Sequence, residues 1–194
     1  MNTSWKGFLP RHAIIMTRRI QAQNSLPSLP TQEVQIESGP VILSAGNPSA
    51  KLIWIGEGSE ENREEKAFQG ETGNLLHRMI EAIHLDRDRV YLIQILKPSQ
   101  PLKGWSLDSW IEKNQLAPQV ILTLGEFATQ TLLKTQEPLS QLRGQFHSYQ
   151  NSAVMPTFDL QTLLQNPGAK RETWKDLQQV ARLLGIVLES RKTG

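Results

Sequence analysis

Apolar positions along this chain fall into short unbroken runs, separated by longer stretches with helical spacing. KLIWIGEG (Lys51–Gly58) is an apolar run that ends in glycines, the signature of a buried strand opening into a loop. RVYLIQILK (Arg89–Lys97) and PQVILTLG (Pro118–Gly125) repeat the pattern, and Met155–Phe158 reads as a short fourth strand. Between them, TGNLLHRMIEAIHL places Leu75, Leu76, Met79, Ile80 and Ile83 on one helical face. Ser106–Leu116 and Glu126–Lys134 are expected to be helical. Lys170–Leu188 reads as a long amphipathic helix with Trp174, Leu177, Val180, Ala181 and Leu184 on one side.

Strands alternating with helices imply parallel pairing. The expected fold is α/β: a three-layer α/β/α sandwich around a central parallel four-stranded sheet. Function in such sheets gathers at the carboxyl ends of the strands. Here those ends are GEG, the Gln94–Lys97 segment, LGE and TFDL.

Composition sharpens this picture at two points. The 194 residues include no Cys, which excludes disulfides, thiolate zinc sites and cysteine-held iron–sulfur clusters. That fits a reducing compartment, and a cytoplasmic location is expected. The net charge of +2 hides an asymmetry. Residues 1–32 hold Lys6, Arg11, Arg18 and Arg19 and no acid, leaving 17 basic against 19 acidic groups elsewhere. NSLPSLPTQ, with two prolines three apart, marks a linker. Residues 1–33 are therefore read as a basic leader and linker, and 34–194 as the folded domain. No apolar run approaches the roughly 18 residues of a membrane span, so no membrane association is expected. The four histidines show no metal-ligand spacing, and GEGSEE lacks the later glycine of a dinucleotide loop.

Six segments together resemble, in order and spacing, the iron–sulfur (family 4) uracil-DNA glycosylases. They are GNPSAKLIWIGEG, AFQGETGNLL, LDRDRVYLIQILK, PQVILTLGEFATQTLL, LSQLRG and MPTFDLQTLLQNPGAKRETWKDLQQV. The resemblance runs from about Gly46 to Val180 and implies an enzyme that extrudes a base from DNA into a pocket. It assigns Glu57, with Gly56 and Gly58 as the tight turn, to the first motif that positions water. Phe68 matches the aromatic that stacks on the base. Gln94 stands where the family has the base-reading Asn, the same amide one methylene further out. Arg143, Lys170 and Arg171 match positions expected to contact phosphate.

The working residues depart from the family at decisive places. Asp159-Leu160 occupy the position of the His-Pro pair. The family's His donates to the oxygen where negative charge builds as the glycosidic bond breaks. A carboxylate cannot donate there. At ~4 Å it repels the developing charge by roughly 1 kcal/mol in water and ~4 near a protein surface. Asp159 is thus a vestigial or altered catalytic position, and Leu160 in place of Pro is expected to free the turn that aims it. The cluster cysteines are absent, so no cofactor is expected, and Trp105 and Trp110 are expected to fill that space apolarly. Glu60, Glu61, Glu64 and Glu65 crowd the mouth where a phosphate backbone should pass.

These departures point to a catalytically inactive glycosylase-like protein, a binding or scaffold subunit in DNA replication or repair. A looser similarity to the psi subunit of bacterial clamp loaders gives this a form. Trp5, Phe8 and Leu9 in the basic leader would dock on a protein partner. Two alternatives stand beside it: an active glycosylase of altered base specificity using Glu57 and Gln94, and a plain DNA-binding module using the three cationic residues.

Overall fold

In the run from Leu52 to Ile55, alternate side chains point to opposite faces of a pleated strand, so a strand buried on both sides must be apolar at every position. The computed structural model, which describes residues 32–35, 40–59, 70–97 and 106–188, places all four of these side chains in the interior. Leu52 and Trp54 enter one core cluster; Ile53 and Ile55 enter the other.

Seven strands form one sheet: β1 (Gln32–Gln35), β2 (Val41–Gly46), β3 (Leu52–Ser59), β4 (Val90–Lys97), β5 (Val120–Leu124), β6 (His147–Tyr149) and β7 (Ser152–Thr157). Their spatial order is β1-β2-β4-β3-β5-β7-β6. The central four, β4-β3-β5-β7, are mutually parallel, as the sequence pattern predicts. The sheet is wider than expected, because β1 and β2 extend it antiparallel beyond β4 and β6 pairs antiparallel with β7.

Helices cover both faces. The first cluster holds Leu75, Leu76, Met79 and Ile80 of α1 (Gly70–Ala82), Leu163 of α5 (Leu160–Gln165) and Leu177 and Val180 of α6 (Pro167–Leu183). The opposite face carries α2 (Leu107–Lys113) and α3 (Glu126–Leu133), through Leu107, Trp110, Ile111, Ala128 and Leu132. A four-residue helix, α4 (Leu139–Leu142), precedes β6. This is the three-layer α/β/α sandwich. Trp110 is buried in the second core cluster, and Trp105 lies outside the described residues.

Helix α6 begins three residues earlier than the apolar spacing indicates. Asn166 caps it, its side-chain oxygen accepting from the Gly168 and Ala169 amides, with Pro167 in the first turn. It also stops earlier. Its last residue is Leu183, with Leu184 as the C-cap, and Gly185 takes φ +73, a left-handed conformation that ends the helix.

Candidate functional site

Four adjacent parallel strands deliver their carboxyl ends to one edge of the sheet, and the sequence places small or polar residues there. Along β3, the face that holds Leu52 and Trp54 continues through Gly56 and Gly58. Gln94 of β4 lies on that face, paired across from Gly56. A β-carbon at Gly58 would fall 2.4 Å from Gln94 Nε2 and 3.0 Å from its Cδ. The missing side chain at Gly58 is therefore what makes room for the Gln94 amide. Gln94 Oε1 is closed off from solvent and has no hydrogen-bond partner. A buried acceptor of this kind is uncommon.

Glu57, half-buried, stands next in β3. Across from it, β5 runs into Gly125, which caps α3 with φ +98 and donates its amide to Thr157 O at 3.0 Å. A β-carbon here would lie 2.7 Å from Glu57 Oε1 and 3.1 Å from Asp159 Cβ. Glycine at 125 is thus required both by its backbone conformation and by two acidic residues that close on it. The fold brings Glu57 and Asp159, 102 positions apart in the numbering, to one point.

Asp159 follows β7 and caps α5. Its Oδ1 accepts the Thr162 amide at 2.8 Å and its Oδ2 accepts the Thr162 hydroxyl at 2.5 Å. The expectation that Leu160 in place of Pro frees this turn is corrected by that geometry. Both carboxylate oxygens are held by Thr162, and the turn is fixed by a helix cap. The local signal was present in the sequence: an Asp with Thr three residues on, just before Leu163 and Leu164.

The cationic candidates sit elsewhere. Arg143, at the end of α4, directs Nη2 to both oxygens of Asp176 at 3.3 and 3.1 Å, with Nη1 3.7 Å from Glu172. Its guanidinium lies 4.7 Å from the centre of the Phe158 ring. Asp176 also accepts from the Thr157 hydroxyl at 2.7 Å, and Thr157 lies 3.0 Å from the Thr173 hydroxyl. Burial pushes the Asp176 carboxyl above its ordinary range, although Thr157 and Arg143 pull the other way. The network ties the end of β7 to α6, and neither Asp176 nor Thr157 stands out in the sequence. Lys170 is buried in the first cluster's helix layer; that burial, and then the charge of Arg78, lower its pKa. Arg171 is exposed. Phe68, Trp5, Phe8, Leu9 and the four glutamates of residues 60–65 lie outside the described residues.

The donor set does not fit a cysteine-held cluster, since the chain has no Cys. Among the described residues, no three His, Asp or Glu come together as metal ligands. No helix among them is long and apolar enough to cross a membrane.

Comparison with known proteins agrees with this arrangement. The family described as "Uracil DNA glycosylase superfamily" matches residues 43–178. A type-4 uracil-DNA glycosylase of Saccharolobus solfataricus is 28% identical over 159 residues, covering 72% of this chain and 74% of the relative. Proteins of the same name from Archaeoglobus fulgidus and Sulfurisphaera tokodaii are 25% and 26% identical. They cover 72% and 71% of this chain, and 80% and 72% of their own lengths.

Proposed function

Because this chain belongs to the uracil DNA glycosylase superfamily, we propose that it is a DNA-binding member that does not excise uracil and serves as a binding subunit in DNA repair or replication. One observation carries the reading. At the turn after β7, a carboxylate locked in a helix cap replaces the donor that the resemblance requires.

The chemistry follows from that replacement. Breaking the bond to uracil leaves negative charge on the base, and stabilising it needs a donor preorganised at that spot. Asp159 offers acceptor oxygens, already engaged by Thr162, and Glu57 adds a second acidic group beside Gly125. The field at this point opposes the departing anion. Base recognition fares better. Gln94 retains an amide at the end of β4 with an acceptor still unmatched. Arg171, in the second turn of α6, supplies sequence-independent attraction to phosphate, and the affinity should fall steeply with salt.

The protein partner is placed in the replication or repair machinery, docking on the leader through Trp5, Phe8 and Leu9, with the whole in the cytoplasm. Equal recovery of partners by the full chain and by a chain lacking residues 1–33 would remove that element.

A second reading, an active glycosylase of altered specificity, is favoured by the unmatched Gln94 acceptor on β4. Incubating the full chain with duplexes bearing one uracil, one hypoxanthine or one mismatch separates the two. The proposal expects bound and intact DNA in every case. Strand cleavage after alkali that disappears in Glu57→Gln would select the enzyme instead.

A further inference from the structure

Helix α6 turns a cationic stripe outward. Arg171, Lys175, Gln178 and Arg182 recur at i, i+4, i+7 and i+11, so they fall on one face of the helix. The three cations are exposed, and Arg171 and Arg182 stand about 16 Å apart along the helix axis. The acids of this helix are Glu172 and Asp176. Asp176 is buried against Arg143, and Glu172 is engaged by Lys175 at 2.9 Å and by Arg143 at 3.7 Å. The first turn holds no acid, so the positive end of the helix dipole adds to the stripe. Beyond residue 32 the chain carries 17 basic against 19 acidic groups, which sets this face apart from the rest of the domain.

The stretch from Leu139 to Tyr149, which joins α4 to β6, contains no acid and is fastened to this helix. Gln179 Nε2 donates to Gly144 O at 3.2 Å, and the Gly144 amide donates to Pro156 O at 3.4 Å. His147 Nε2 lies 2.8 Å from Leu142 O. Between these ties stands Phe146, 38% exposed, the one aromatic side chain among the described residues that is open to solvent. A line of cations takes phosphates, and an aromatic ring held in place beside it takes the face of an unpaired base. We propose that the outer face of α6 and the turn at 143–146 form a track for single-stranded DNA. The proposal rests on the DNA-binding reading above and adds the surface and the form of DNA. A duplex meets the stripe through its phosphates alone, because its bases already stack on one another. Phe146 gains a partner only where a base is free.

The test uses the full chain, a labelled single strand of about 15 nucleotides and the matching duplex, with affinities read by fluorescence anisotropy over a range of salt. Arg182→Gln removes one phosphate contact and should flatten the slope of log K against log salt on the single strand by about 0.7. Phe146→Ala should weaken single-strand binding by roughly 5- to 100-fold, with the salt slope and the duplex affinity unchanged. Phe146→Trp should keep the wild-type affinity. Both positions are exposed, and a thermal melt shows that each variant is folded. Single-strand binding by the wild-type chain that either Arg182→Gln or Phe146→Ala leaves unchanged overturns the proposal while the DNA-binding reading stands. Absence of salt-dependent binding of either DNA by the wild-type chain overturns that reading itself, so the two failures are told apart.

Discussion

Replacing Asp159 separates its service as a helix cap from any service in a reaction. The side chain accepts two hydrogen bonds from Thr162, one from the amide at 2.8 Å and one from the hydroxyl at 2.5 Å. Asp159→Ala removes both acceptors. The hydroxyl of the half-buried Thr162 turns to water at little expense, whereas the amide at the start of α5 loses its partner. Loss of an N-cap acceptor costs about 1 kcal/mol and up to about 2. For a chain of this length that lowers Tm by about 2–8 °C. Asn is as good a cap as Asp, because it keeps one carbonyl oxygen in the same place. Asp159→Asn should therefore melt within about 1 °C of the wild-type chain. Thermal unfolding followed by circular dichroism, at one pH and one protein concentration, reads all three. An Ala variant as stable as wild type, or an Asn variant that falls as far as Ala, refutes the cap.

Three further outcomes follow from the same geometry. Gly125→Ala should lose more stability than Gly185→Ala: both have positive φ, but a β-carbon at 125 meets Glu57 at 2.7 Å whereas none of its neighbours is within 4 Å at 185; denaturant titration of the two variants gives the order. Arg143→Met leaves the Asp176 carboxylate buried without its ion pair and should cost about 3 kcal/mol, measurable by the same titration. Burial raises the Asp176 pKa in the folded state, so its contribution to stability is full below the ordinary carboxylate range and is lost as pH rises through the raised value. Wild type should lose stability relative to Asp176→Asn across that window, and parallel pH profiles would contradict the assignment.

The central strands could be read from the chain because each is buried on both faces and so runs apolar without interruption. The added edge strands could not be read the same way. His147–Tyr149 is only three residues long and partly exposed, too short for a period to show. Val41–Gly46 is apolar enough, but it lies just after the linker and is joined to β3 by a turn through Asn47. At the site, Gln94, Gly58 and Glu57 were legible because strand ends mark themselves with glycine and polar residues. The closing of Glu57 and Asp159 on Gly125 was not, since it joins three strand ends and has no sequence period. The helix cap at Asp159 is local, an Asp with Thr three residues on, and so was present in the sequence. Arg143 looked like a surface cation; its engagement by Asp176 depends on α6 packing against the end of β7.

Single-turnover incubation of an excess of the full chain with a duplex bearing one uracil, with the liberated base quantified by mass spectrometry, tests the central claim most directly. An acceptor at position 159 predicts no uracil above the level of a protein-free control over hours. Stoichiometric release within minutes, abolished by Glu57→Gln, would contradict it.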